Sequence, residues 1–340
     1  MTEPFHLVPG AALDRRNTFR VSAQAAWLAE VREPQAIPEL LARSEVHERP
    51  LLVLGEGSNV LFTRDFDGLV LAMANRGIEI LKDDGEPVRV RAAAGEDWHG
   101  LVRWSLAQAL CGLENLSLIP GTVGAAPTQN IGAYGAELAA VLETVEAFDR
   151  QANTPAWLTR EQCGFSYRQS VFKRQPDRWI ITAVQLRLRR NAPLKLDYAG
   201  VREELAAMNV AQPTAKDVSE AVCRLRRRKL PDPAQIGNAG SFFKNPIVSN
   251  GETEKLQAEH PGLPVFHAPD GRKLSAAWLI ERCGWKGFRE GDAGVSDKHA
   301  LVLVNHGNVT GAQIWSLAQR IQDSVQQKFG IRLEPEPRII

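Results

Sequence analysis

Leu54-Gly55-Glu56-Gly57-Ser58-Asn59-Val60-Leu61-Phe62 leaves an apolar run that begins at Leu51, turns on two glycines and enters a second apolar run. Those glycines let the backbone take left-handed angles and aim successive N–H groups at one point, a nest for a phosphate. Ser58 and Asn59 add side-chain donors. The same residues suit a plain hairpin turn between two strands, and locally both readings stand. What the segment excludes is a dinucleotide-binding βαβ unit, because Val60 stands where that fingerprint needs glycine and no helical pattern follows. Strands come mainly in runs here, not in alternation with helices. The fold class is therefore α+β and not a doubly wound sheet.

Outward from the turn, Gly68 to Met73 reads as a strand, and Pro87 to Ala92 alternates with Arg89 and Arg91 on one side. Trp98, Leu101, Val102, Leu106, Ala109 and Leu110 fall at helical spacing, predicting a helix from about Asp97 to Leu110 with Gly112 as its stop. Strand patterns return at Val145 to Phe148 and Trp179 to Leu188. Beyond Pro193 the character changes. Val201 to Met208 and Lys216 to Lys229 read as helices, and the prolines at 231 and 233 place an inter-domain link near 212 to 233. Ser275 to Arg282 and Gln313 to Phe329 are helical in pattern, Ala300 to Asn305 is a buried strand, and Ile331 to Ile340 is extended.

A chain of 340 residues suits two or three domains, and a net charge of +1 gives no field that would gather nucleic acid. Any anionic ligand must then be held by local groups. The four cysteines, Cys111, Cys163, Cys223 and Cys283, form no CxxC pair, and the histidines are not paired at metal-ligand spacing. Neither disulfides nor a metal site are expected. The opening MTEPFHLVPG lacks the basic start and apolar core of a secretory signal, and the apolar runs are strand-sized. A cytoplasmic location without membrane contact is the expectation.

Three further segments carry chemistry. Ile119 to Gly135, IPGTVGAAPTQNIGAYG, packs four glycines and two prolines into seventeen uncharged residues. A backbone shaped to lie against a flat ligand looks like this, with main-chain groups for a diphosphate or a ring edge, although a rigid structural loop would too. Arg168 lies in FSYRQSVF (165–172), where a guanidinium among aromatics is oriented for a carboxylate or phosphate, or simply solvated. In GNAGSFFKNP (237–246), Ser241 follows a Gly-x-x-Gly turn and precedes two phenylalanines. Its hydroxyl is either a turn feature or a proton donor to a strongly basic carbanion, which needs no acid tuned near neutrality. It is not a hydrolase elbow, since Phe243 occupies the last glycine position. Glu334 and Glu336 of LEPEPR (333–338) would point the same way in an extended strand unless proline bends it. His99 reads as a helix-start or packing residue.

Taken together, GEGSNVLF (55–62), IPGTVGAAPTQNIGAYG (119–135), YRQSVF (167–172), KLPDP (229–233), GNAGSFFKNP (237–246) and LEPEPR (333–338) resemble the UDP-N-acetylenolpyruvoylglucosamine reductases, in their type I form. The resemblance runs from about Asn17 to the last residues. It implies a vanillyl-alcohol-oxidase-like fold: FAD-binding subdomains at 1–72 and 73–212, a substrate-binding domain at 225–330, and a C-terminal segment, 331–340, that returns to the active site. It implies non-covalent FAD, NADPH as co-substrate, and a UDP-sugar as substrate in cell-wall synthesis, with a monomer as the working form. Gly55, Glu56, Gly57, Ser58 and Asn59, with Pro120, Gly121, Thr122, Val123 and Gly124, would cradle the FAD diphosphate. Asn130, Ile131 and Gly132 would lie near the flavin, and Arg338 matches a further cofactor position. Arg168, Ser241 and Glu336 match the catalytic positions; Tyr198, Lys229 and Asn245 match those that hold the sugar's diphosphate. Pro337 is a departure, standing where the family usually has an aliphatic residue.

On this reading a hydride reaches C3 of the enolpyruvyl ether, Arg168 stabilises the adjacent carboxylate with Glu336 as a second donor, and Ser241 protonates C2. Two rivals are a flavin-dependent alcohol oxidase on the same scaffold and a sugar-nucleotide binding protein without flavin. The order of motifs, and the lack of a His-Cys pair for covalent flavin, argue against the oxidase.

Overall fold

The computed structural model describes residues 3–340 as two compact units. One comprises the segment ending at Ala11, Ala25–Glu56 and Phe66–Arg227; the other comprises Ala12–Gln24, Gly57–Asp65 and Arg228–Ile340. The chain therefore passes between units inside the first glycine turn, and again at Arg227, within the stretch expected to link domains.

In the first unit, Phe5–Ala12, Gln24–Val31, Phe66–Met73 and Leu51–Val53 form a four-stranded sheet in that spatial order. Phe66–Met73 pairs in parallel with both of its neighbours. A five-stranded antiparallel sheet runs Thr154–Thr159, Leu142–Asp149, Trp179–Leu188, Val88–Ala93, Ile78–Lys82. Alternation decides its faces. Val88, Val90 and Ala92 are fully buried, whereas Arg89 bonds Glu143 at 2.9 Å and Arg91 forks onto Glu146 at 2.8 Å. Helix Trp98–Ala107 joins the same core through Trp98, Leu101, Val102 and Leu106. Asp97 caps it by accepting from the Gly100 N–H. It ends earlier than its apolar spacing suggests: the Gln108 N–H closes onto the Trp104 carbonyl and Ala109 turns left-handed at φ 57°.

Asp149 ends the strand Leu142–Asp149 with 4% of its surface exposed. The Arg178 guanidinium lies 2.6 Å from it, and the Gln151 N–H donates to it at 2.9 Å. These partners hold its carboxyl below the usual aspartate range. A depressed folded pKa means the stabilisation is present above the unfolded value, near 4, and is lost as pH falls through the folded value. Asp149→Asn should therefore cost about 1–3 kcal/mol at neutral pH, and urea melts of parent and variant should converge in acid.

The second unit holds two three-stranded sheets and three longer helices. Ile247–Val248, Gly271–Leu274 and Val265–Ala268 form one sheet; Arg289–Glu290, Ala293–Val295 and Leu303–Asn305 form the other. Capping boxes start helices Asn250–Glu259 (Ser249 with Glu252) and Gly311–Phe329 (Thr310 with Gln313), and Ser275 caps Ala276–Arg282. Of the buried strand expected over Ala300 to Asn305, only Leu303–Asn305 takes strand form, though all six residues are buried.

The hairpin alternative for the first turn does not hold. Leu51–Val53 pairs with Phe66–Met73, whereas Val60–Leu61 pairs in parallel with Arg338–Ile339 from the far end of the chain. Thr63 extends this ladder: its N–H and its hydroxyl both donate to the Ile340 carbonyl, at 2.9 and 2.6 Å. Glycine is required where helix Gly311–Phe329 begins, because a Cβ on Gly311 would fall onto the Phe62 carbonyl.

Candidate active site

Within the first unit, the glycine loops meet side to side. A Cβ on Gly55 would stand 2.8 Å from Thr122 Oγ1, and one on Gly124 would stand 2.6 Å from Ala94 Cβ. Gly55 thus lets the first loop approach Thr122 and Ala125 of the second, and Gly124 lets the second approach Ala94, so small side chains line the meeting of the loops. That shape fits an FAD diphosphate. Its donors differ from a simple nest. The Gly121 N–H donates to Glu56 Oε2 (3.0 Å), the Val123 N–H to the Glu96 carbonyl (2.8 Å) and the Gly124 N–H to the Ala94 carbonyl (2.8 Å). Pro120 has no N–H, and three of the four backbone N–H groups from Gly121 to Gly124 already have protein acceptors. Burial, with the charge of Asp97, pushes the Glu56 carboxyl above its usual range.

The remainder of the glycine-rich stretch has more order than its composition suggested. Val123–Gln129 is a 3-10 helix, ended by Asn130 at φ 44°. Asn130 is 1% exposed, and its amide is turned inward: Nδ2 donates to Glu137 Oε2 at 2.9 Å and Oδ1 accepts from the Ala139 N–H at 3.0 Å. Any part it takes in cofactor binding falls to its backbone. Arg168 is brought to this stretch, donating from Nη2 to the Gly132 carbonyl at 2.7 Å. Its φ of 55° is unusual for a residue other than glycine, and strain of this kind persists where surrounding contacts over-determine it. The guanidinium lies 5.5 Å from the Tyr167 ring centroid, as expected from the aromatic setting. Tyr198, half exposed, packs edge-on against Tyr134 with ring centroids 5.1 Å apart.

Arg226 escaped the sequence reading. Its Nε donates to the Leu118 carbonyl at 3.1 Å, just ahead of the second glycine loop. Burial pushes the guanidinium below the usual arginine range. The signal was available: Arg226 lies four residues beyond Val222 and eight beyond Val218, both fully buried, so it shares the inner face of helix Ala215–Lys229.

In the second unit, two predicted catalytic segments lie side by side. The Glu336 N–H donates to the Phe242 carbonyl (2.8 Å), the Lys244 N–H to the Glu334 carbonyl (2.9 Å), and Phe243 bridges to Pro335. On its other side the 241–243 segment meets Leu301 and Val302: Ser241 bridges to Val302, and the Phe242 N–H donates to the Leu301 carbonyl at 2.7 Å. Gly240 reaches Ser241 through a left-handed φ of 67°, closed by its N–H on Asn238 Oδ1 at 2.9 Å. The two carboxylates part company. Glu334 is exposed and pairs with Lys244 at 2.9 Å, while Glu336 is half-buried.

Asn59, from the first turn, also belongs to this unit. Its Nδ2 donates to the Glu336 carbonyl at 3.3 Å and its own carbonyl accepts from the Arg338 N–H at 3.1 Å. Those bonds flank Pro337, which is buried and lacks a donor, so the departure from an aliphatic residue leaves the backbone on either side of it paired. Gly57, at φ 66°, lies against the Arg16 carbonyl with no room for a Cβ, and Ser58 follows it. Asn245 Oδ1 accepts from the Ala276 N–H at 3.0 Å, so its amide NH₂ is the part that can face a ligand. Lys229 is exposed and closes helix Ala215–Lys229. Among the described residues, no group of three or more His, Cys, Asp or Glu could hold a metal ion, and no helix is long and apolar enough to cross a membrane.

The profile of the UDP-N-acetylenolpyruvoylglucosamine reductase C-terminal domain matches residues 232–340, and that of an FAD-binding domain matches residues 25–153. The UDP-N-acetylenolpyruvoylglucosamine reductase of Xanthomonas axonopodis pv. citri is 54% identical over 333 residues, covering 97% of this chain and 95% of its own. That of Xylella fastidiosa is 51% identical over 341 residues, covering 100% of this chain and 97% of its own. The crystal structure of UDP-N-acetylenolpyruvylglucosamine reductase (MurB) from Thermus caldophilus aligns with a TM-score of 0.68 at 27% identity, covering 98% of each chain. The α+β class and the FAD-binding fold are those expected from the sequence, and the chain belongs to the UDP-N-acetylenolpyruvoylglucosamine reductase family.

Proposed function

We propose that this chain reduces UDP-N-acetylglucosamine enolpyruvate to UDP-N-acetylmuramate for peptidoglycan precursor synthesis, taking electrons from NADPH and acting in the cytoplasm as a monomer. The observation that carries the reading is the pairing of 241–243 with 334–336, which sets the segment of the proton donor beside that of the carboxylate. The proposal keeps the division into flavin-binding subdomains at 1–72 and 73–212 and a substrate-binding domain at 225–330.

FAD would be held by Gly55 to Asn59 and Pro120 to Gly124 at its diphosphate, with the backbone of Asn130, Ile131 and Gly132 and with Arg338 at its other contacts. When bound, it supplies the hydride exchange between a nicotinamide and the enolpyruvyl C3. The chain's own residues do the remainder. Arg168, with its fork oriented by the Gly132 carbonyl, binds the enolpyruvyl carboxylate and stabilises the charge that grows there once C3 has gained a hydride. Glu336 adds a second hydrogen bond to the same carboxylate. The Ser241 hydroxyl gives its proton to C2, completing the lactyl ether. Tyr198, Lys229 and the Asn245 amide hold the diphosphate of the sugar nucleotide. NADPH and the sugar would use one cavity in turn, giving ping-pong kinetics.

The test is anaerobic turnover of the purified, yellow protein. One NADPH lost per enolpyruvyl sugar, with no oxygen demand, is expected; turnover that requires oxygen would favour the alcohol oxidase instead. Arg168→Lys keeps the charge but loses the fork, and should lower kcat about 10²–10³-fold by steady-state assay.

A further inference from the structure

We infer that His99 is a positioning residue for the flavin-diphosphate cradle, acting through the backbone of Leu118. This rests on the reading that Pro120 to Gly124 holds FAD. Leu118 is left-handed, at φ 57°, a conformation that L side chains other than Asn and Asp seldom take. Both of its peptide groups are gripped by side chains: the N–H donates to His99 Nδ1 at 3.0 Å, and the carbonyl accepts from Arg226 Nε at 3.1 Å. The residue before it is fixed as well. Ser117 is fully buried, and its hydroxyl bonds the Glu114 carbonyl and Ser219 Oγ, each at 2.7 Å. Leu118 is therefore the bend between an anchored core segment and the cradle.

The first turn of helix Trp98–Ala107 grips this loop on both sides of the bend. Ahead of it, Trp98 Nε1 donates to the Leu116 carbonyl at 2.9 Å and His99 accepts from Leu118. Beyond it, the Trp98 N–H donates to the Gly121 carbonyl at 3.0 Å, and Asp97 bridges to Thr122. Of these contacts, the His99 bond alone depends on a titrating acceptor. Nδ1 accepts only in the neutral ring that carries its proton on Nε2. The charged groups facing the ring are Asp97 on its own helix turn, Arg103 one turn on, and Arg226 and Arg227 from helix Ala215–Lys229. Burial, with these three arginines, holds the imidazole below the usual histidine range against the pull of Asp97. The neutral acceptor is thus kept at neutral pH. Protonation in acid would set an N–H against the Leu118 N–H and release the bend.

The experiment follows FAD release from the holoprotein by recovery of free-flavin fluorescence between pH 5 and 8. Parent protein should loosen FAD as pH falls through the His99 pKa. His99→Asn, whose Oδ1 can take the place of Nδ1 but does not titrate, should hold FAD with no such step. His99→Leu should release it about tenfold more readily at every pH. Adding Leu118→Gly, which tolerates the left-handed turn unaided, should restore the grip of His99→Leu. The same acid step in parent and His99→Asn would overturn the proposal, and that comparison decides even if His99→Leu does not fold. Gly124→Val, which drives a side chain into Ala94, separates the two ideas. Loss of FAD from it, with parent-like retention in His99→Leu, overturns the clamp alone; retention in both overturns the cradle reading and the clamp with it.

Discussion

Ser241→Ala is expected to slow reduction of the enolpyruvyl sugar by about 10²–10⁴-fold while leaving the bleaching of the flavin band by NADPH at its parent rate. The split follows from what the hydroxyl is asked to do. A hydride added at C3 leaves C2 electron-rich, and the lactyl ether forms only when a proton arrives there. Removing the hydroxyl should not disturb the fold around it, because the segment is held by backbone bonds: Phe242 to Leu301 on one side and Glu336 to Phe242 on the other. The variant should therefore melt with the parent, bind FAD and react with NADPH. Equal turnover in the variant would mean that another group, or solvent, delivers the proton.

Gly311→Ala should be the most damaging small substitution in the second unit, lowering its stability by about 3 kcal/mol. The added Cβ would meet the backbone of Phe62 and Thr63, not the end of a flexible side chain, so either the helix or the strand has to move. Backbone yields less readily than side chains. The strand that would shift is Val60–Leu61, whose partner Arg338–Ile339 follows directly on Glu336 and Pro337. A lowered urea midpoint accompanied by a loss in kcat is the expected pair of results. Unchanged stability would show that this close approach is not required.

The strongly patterned elements were legible from sequence. Trp179–Leu188 was read residue for residue, because a long, largely apolar run rich in β-branched residues marks a strand buried on both faces. The helix over 98–107 was also clear, but its end was not. Backbone closure at Gln108 and the left-handed Ala109 terminate it, and neither leaves a mark as plain as the glycine at 112. Phe5–Ala12 was missed because Pro9 and Gly10 interrupt its pattern, features that an edge strand tolerates. The pairing of Val60–Leu61 with Arg338–Ile339 could not be read at all, since two residues carry no period and the partner is a whole chain away. Likewise, the 3-10 helix at Val123–Gln129 is built from small residues that show no spacing.

For the candidate site, the residues were nameable but their wiring was not. Arg168 was expected to be oriented by aromatics, and beside the Tyr167 ring it also bonds the Gly132 backbone carbonyl. Glu56 was grouped with phosphate-binding residues, yet its carboxyl takes the Gly121 N–H that a nest would have offered. Choosing Glu336 over Glu334 rested on resemblance alone; nothing in the sequence showed that one carboxylate is half-buried and the other exposed and lysine-paired. His99 was read as a helix-start residue, which it is, but its ring nitrogen reaches a loop that only the fold brings near.

The central claim is that one protein accepts electrons from NADPH and passes them to an enolpyruvyl sugar nucleotide. Anaerobic double-mixing stopped flow tests it most directly, following the flavin absorption band. The expected record is a first phase in which NADPH alone bleaches the band. On addition of UDP-N-acetylglucosamine enolpyruvate, a second phase should restore it at a rate no slower than turnover. Restoration only when oxygen is admitted, or none with the enolpyruvyl sugar, would contradict the account.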